Sequence, residues 1–157
     1  MQDAENTRQS PAGLQSRIRD FFTAYEQRYA AGLEGKTDVE GTAAVFTDQF
    51  IEANPFGVSA GANDEQFRKA IPEGMEFYRK IGTRSMELDT VAITPLDANH
   101  HMAKVHWKAT YVKEGKDELV IEFDVIYLLQ DIDGALKIFA YITGDEQGVL
   151  KEHGLIN

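Results

Sequence analysis

The chain has 157 residues, 43% of them hydrophobic and 27% charged, with a formal net charge of −10 and no cysteine. That length suits one domain with a full hydrophobic core. The acidic balance opposes binding to nucleic acid or to an anionic membrane surface, and the missing cysteines exclude disulfides and thiolate sites.

No apolar run approaches the roughly 20 residues that span a bilayer, and Met1 to Gly13 lack the basic start and apolar centre of a secretory signal. A cytoplasmic location is the expectation. Residues 1–13 read as a disordered tail and residues 14–157 as a single domain. From Leu14 the pattern turns helical. Leu14, Ile18, Phe21, Phe22, Tyr25 and Tyr29 recur at steps of three and four and form one apolar stripe. Arg17, Arg19, Asp20, Glu26 and Arg28 are left to face water, and Gly32 and Gly35 end the helix.

Asp38 suits the N-cap of a short second helix that runs to Phe46 and closes at Thr47-Asp48. Residues 50–54 read as a short strand. Asn54-Pro55 ends it, because proline disfavours helix in the preceding residue. Gly57 and Gly61 allow the turns that follow. Asn63, with Gln66 three residues on, resembles a capping box. The helix it opens should kink or break at Pro72, and Gly82 stops its second piece.

After Thr83 the period changes to two. Runs at about 84–94, 101–113, 118–130 and 135–143 are rich in Val, Ile, Tyr and Phe and predict strands. The segments between them suit hairpin turns, so the sheet should be mostly antiparallel. A last short helix is predicted over 146–152, stopped by Gly154. Helices first and strands after give an α+β fold. A long sheet with three or four helices on one side should curl into a half-open cone, with any site in its interior.

Three stretches carry a family resemblance: the opening helix, Val45-Phe46-Thr47-Asp48, and the turn Glu52-Ala53-Asn54-Pro55-Phe56-Gly57. The hairpin from Ile121 to Tyr141 fits as well. The chain resembles the nuclear transport factor 2-like superfamily, in particular its SnoaL-like and ketosteroid isomerase-like members. In those isomerases a carboxylate just before the proline of the turn removes a proton beside a ketone. Asn54 stands there in this chain, and an amide has no useful basicity near neutral pH. The resemblance implies that Tyr25 matches a hydrogen-bond donor to the developing enolate. Asp124 falls where a protonated aspartic acid gives the second bond, the isomerase case that is a standing example of a carboxyl kept neutral by its site.

Asp124 interrupts the apolar run from Leu119 to Leu129, which reads as a strand buried on both faces. A buried carboxyl must be neutralised or well bonded. It therefore lines the cone or forms a structural ion pair. Glu122, nearer the strand end, reads as solvated or paired. His106 could move a proton near neutrality, or sit at the surface bonded to a neighbour. His100 and His101 are adjacent on a strand and point to opposite faces, a poor chelate, so neither a metal nor a cofactor is expected. Tyr25, Tyr78 and Tyr141 are better cavity candidates than the phenylalanines, because a buried hydroxyl seeks a partner. Arg84 could clamp an anionic group or pair with Asp124 or Glu52. Asp145 and Glu146 could bring acid groups to the cone mouth, or serve as the N-cap and first-turn acid of the last helix, the preferred reading.

Two functions compete. The preferred one is a domain without the isomerase base that holds a small, largely hydrophobic ligand, touched by Asn54, Glu52, Phe56, Tyr78, Arg84 and Tyr141. The other is an acid–base isomerase, dehydratase or cyclase acting on a hydrophobic carbonyl compound. In it Asp124 and Tyr25 polarise the oxygen, and His106 or Glu52 moves the proton. Phe123, Val125 and Tyr127, with Trp107 and Tyr141, make an apolar face that suggests a homodimer through the open sheet face.

Overall fold

Helix α1, Pro11–Leu33, opens the part of the chain that the computed structural model describes, residues 11–157. The expected tail therefore lies outside the described residues up to position 10. Residues 11–13 are helical instead. Leu14, Ile18 and Phe22 are buried, as the stripe requires, and Gly35 leaves the helix with φ 83°. Fully burying side chains such as Ile18 and Phe22 contributes about 1.5–3 kcal/mol each.

Asp38 does cap helix α2 (Val39–Ala43), its carboxylate accepting from the Gly41 N–H at 3.0 Å. The helix is shorter than predicted. Phe46 and Thr47-Asp48 already belong to strand β1, Phe46–Asn54, because the Val45 carbonyl accepts from the Ile138 N–H at 2.7 Å and pulls the chain into the sheet. Pro55 and Phe56 form a two-residue hairpin into strand β2, Gly57–Ala62, where the glycines had predicted turns. Small residues hide this strand. Gly61 pairs with Phe50, and a Cβ there would meet the Phe50 ring at 2.6 Å.

Helix α3, Glu65–Lys80, is capped by Asp64 rather than Asn63. Asp64 accepts from the Phe67 N–H at 2.9 Å. Asn63 instead ties α2 to β1, donating to the Ala43 and Phe46 carbonyls at 2.7 and 3.2 Å. The helix runs on through Pro72. Pro72 is exposed, so the carbonyl it leaves without a donor can bond water.

Strands β3 (Thr83–Pro95), β4 (His100–Tyr111), β5 (Leu119–Ile132) and β6 (Ala135–Ile142) follow, then helix α4, Glu146–Glu152. The six strands form one curved open sheet in the order β2-β1-β6-β5-β4-β3. Among the described residues only β1 and β6 pair in parallel. Breaks of register bend the sheet, and the one between Leu88 and Val91 is tied to α1. There Glu26 accepts from the Leu88 N–H at 2.5 Å, and Arg19 donates to the Asp89 carbonyl at 3.1 Å. The fold is α+β, with four helices among the described residues.

Alternation along β4 and β5 decides what the concave side holds. Val105, Trp107, Val125, Tyr127 and Leu129 pack there on Ile18 and Phe22 of α1. A second cluster joins Ile81, Ala109, Tyr111 and Ile121 to Leu150 and Leu155. The apolar face expected to seek a second copy is thus the inner face, covered by this chain's own helix. No described helix is long and apolar enough to cross a membrane.

Candidate functional site

Between the two apolar clusters the cone leaves a cavity of about 260 Å³. Every tyrosine of the chain lines it: Tyr25, Tyr29, Tyr78, Tyr111, Tyr127 and Tyr141. The single tryptophan, Trp107, is also in its wall. Different elements bring these rings together. Tyr25 and Tyr29 are four apart on α1 and share its inner face. Tyr78 comes from α3 and the others from β4, β5 and β6. Met86, Phe123 and Val125 complete an apolar wall, and Thr143 to Glu146, with Val149 and Leu150, close one side.

The hydroxyls are ordered by few partners. Trp107 Nε1 donates to the Tyr127 hydroxyl at 3.2 Å, and Tyr127 bonds the Tyr25 hydroxyl in turn. Tyr78 donates to Glu146 at 2.7 Å, and Tyr141 donates to Glu52. The Tyr29 hydroxyl is buried without a partner among the described residues. Burial pushes all six phenols above their ordinary range, Tyr111 up to about 12 and the others higher or in the same direction. At neutral pH they are uncharged O–H donors and not phenolates.

A second compartment of about 310 Å³ adjoins the first between α1, α2 and α3. The two share Tyr25, Tyr29, Phe46, Tyr78 and Tyr141 as walls. Arg28, Thr37 and Thr42 supply its polar lining.

The residues singled out from sequence divide into two sets. Tyr25, Tyr78 and Tyr141 lie in the cavity wall, and Glu52 stands behind Tyr141 as its acceptor. Asn54 and Phe56 do not line it. They sit at the exposed tip of the β1–β2 hairpin, where the Asn54 side chain accepts from the Phe56 N–H at 2.9 Å and Phe56 is 79% exposed. Arg84 lies exposed on β3 beside a surface groove and pairs with neither Asp124 nor Glu52.

Asp124 and His106 point out of the cone. They are cross-strand partners on the convex face, which no described helix covers, so the strand is buried on one side only. The His106 ring lies between two carboxylates, Nδ1 at 2.7 Å from Asp124 and Nε2 at 2.9 Å from Glu122. The hydrogen bonds to Glu122 and then Asp124 raise the His106 pKa, and His106 lowers that of Glu122. Asp89 joins this group, with its donor atom and those of His106 and Glu122 within 4.8 Å of one another.

Sequence reasoning missed Tyr29, Tyr111, Tyr127 and Trp107 as cavity residues and left Arg28 to water. The spacing of Tyr25, Arg28 and Tyr29 could have shown them on adjoining faces of one helix. Glu146 is the first-turn acid of α4, as expected, and also the acceptor for Tyr78.

Solved structures share the fold at low identity. Aln2 from a Streptomyces species aligns with a TM-score of 0.64 and 19% identity, covering 92% of this chain and 98% of that one. An uncharacterised protein with a cystatin-like fold from Caulobacter vibrioides gives 0.61 at 14% identity, over 89% and 96%. An NTF-2 like protein of unknown function from Shewanella oneidensis gives 0.60 at 14%, over 83% and 98%. No curated protein matches the sequence. Residues 15–146 match the family described as NTF2-like protein (DUF6841), and the chain belongs to that family.

Proposed function

We propose that this domain binds a small, largely hydrophobic molecule in the cone and holds its oxygen substituents by tyrosine hydroxyls. The observation that carries this reading is the gathering of all six tyrosines and the one tryptophan around a single cavity. Aromatic walls with a few convergent polar groups are the usual make-up of a small-molecule site. The volume suits a body of one or two fused rings. An acid–base reaction would need a base in the cavity. Asp124 and His106 face the other way, and each carboxylate at the wall is already engaged: Glu52 and Glu146 accept from Tyr141 and Tyr78, Asp145 from the Gly148 N–H, and Glu122 is bonded to His106. Binding without turnover is therefore favoured.

The test is quenching of Trp107 fluorescence by hydroxylated one- and two-ring aromatic compounds. Saturable quenching that Tyr25→Phe and Tyr127→Phe weaken supports the reading. Unchanged emission across such a panel would overturn it.

We also propose that a second copy packs on the convex face. Ile51, Val58 and Ile142 project there from neighbouring strands, 40%, 72% and 43% exposed. Beside them Lys104, Lys108, Glu122 and Asp124 carry both signs. A two-fold related copy could oppose basic to acidic groups while covering the apolar strip.

A further inference from the structure

The second compartment contains a cation with no counter-ion. Arg28 lines it, yet among the described residues Arg28 makes no ion pair. Its Nη1 is buried without an acceptor, and so is the hydroxyl of the next residue, Tyr29. A guanidinium cannot escape this by losing its proton. Arg28 as a whole is half-buried, so the unmet group is this one inward-facing nitrogen, and a buried donor without an acceptor is unfavourable. The chain has 26 acidic residues against 16 basic ones, and none among the described residues is placed there.

We propose that the ligand is an organic acid, an aromatic or alicyclic body bearing one carboxylate, with that carboxylate seated at Arg28. The inference rests on the cavity reading above and adds the charge of the ligand. Tyr25, Tyr29 and Tyr78 belong to the linings of both spaces, and in the proposed complex one molecule lies across the two. Its ring lies among the tyrosines and Trp107. Its carboxylate enters between α1 and α2, where Arg28 offers two parallel N–H groups and Tyr29, Thr37 and Thr42 offer hydroxyls. Burial around the pair strengthens it relative to water.

The test compares naphthalene-2-carboxylate with naphthalene-2-carboxamide, two probes of the same shape, by Trp107 quenching and by calorimetry on the full chain. The acid should bind about tenfold or more tighter than the amide, as a charge-assisted bidentate bond implies. Arg28→Met should erase that preference by bringing the acid down to the affinity of the amide, and Arg28→Lys should keep part of it. If acid and amide bind wild type equally, or if Arg28→Met keeps the preference, the anion site is wrong and the cavity reading stands. If neither probe binds, both fail.

Discussion

Trp107 Nε1 gives its one hydrogen bond to the Tyr127 hydroxyl at 3.2 Å, deep in the cone and 2% and 5% exposed at the two residues. The bond spans neighbouring strands, since Ala103 and Phe123 are the direct cross-strand partners of Tyr127 and Trp107. It fixes the Tyr127 hydroxyl for Tyr25. Tyr127→Phe leaves the indole N–H buried and unpaired, and should cost about 1–3 kcal/mol by urea unfolding. Trp107→Phe should cost more through lost packing, about 3 kcal/mol. If Tyr127→Phe unfolds at the wild-type urea midpoint, the bond does not hold the wall.

Tyrosine ionisation gives an independent check of the cavity. All six phenols are raised, first of all by burial. A phenol whose folded pKa exceeds its unfolded value of about 10 contributes stability that is complete below pH 10 and lost as pH rises above it. Absorbance at 295 nm should therefore stay flat through pH 10 in the folded protein. Tyrosinate should then appear together with loss of far-UV ellipticity. In urea the same chain should titrate near 10. A folded-state titration centred on 10 would mean that the rings are open to water.

These two predictions rest on residues the sequence half revealed. The period of Leu14 to Tyr29 and the alternation around Trp107 gave the right helix and the right strands. The same alternation put Asp124 opposite Phe123 and Val125. It could not say that helix α1 covers only the Phe123 side, because that follows from the three-dimensional path of the chain. Asn54 shows the same limit. The resemblance to the isomerases marked its turn as the place of a base, but a two-residue hairpin carries the turn away from the cavity, and strand β2 left almost no signal in Gly57 to Gly61. Arg28 read as a solvent residue because α2 and α3, which enclose it, pack there only in the folded chain.

The convex face makes its own prediction for His106. Hydrogen bonds to Glu122 and Asp124 raise its pKa above 6.5, and partial desolvation opposes them without reversing the shift; Lys104 and Lys108 share the strand face. A raised histidine contributes stability present below its unfolded pKa and lost as pH rises through the folded one. NMR titration of the ring should give a midpoint above 6.5, lowered in Glu122→Gln and again in Asp124→Asn. A midpoint at or below 6.5 would show that the carboxylates do not hold the ring. The ring is exposed, so the effect on unfolding is expected to be slight.

If two copies meet on this face, Ile142→Glu should halve the mass seen by analytical ultracentrifugation, since a charge would then be buried in the interface. Ile132→Glu, at the exposed β5–β6 turn and 46% exposed, serves as the control and should leave the mass unchanged. A monomeric wild type at high micromolar concentration would falsify the pairing.

The last prediction concerns the ion pair that joins helix α1 to the end of strand β5. Arg17 on α1 grips Asp131 with two bonds of 2.9 Å, and His101 Nε2 stands 3.4 Å from the same carboxylate. Arg17 holds the Asp131 pKa below its ordinary value, chiefly by hydrogen bonding. A carboxylate with a depressed folded pKa adds stability that is present above its unfolded value, about 3.9, and is lost as pH falls through the folded one. Arg17→Met should thus destabilise the protein by about 1–2 kcal/mol at pH 7, discounted because Arg17 is partly exposed. As pH falls through the lowered folded pKa of Asp131 the difference between variant and wild type should shrink, because the carboxyl is then protonated in both. A difference that stays constant from about pH 7 to pH 2 would assign the effect to the lost Arg17 stem packing instead of the ion pair.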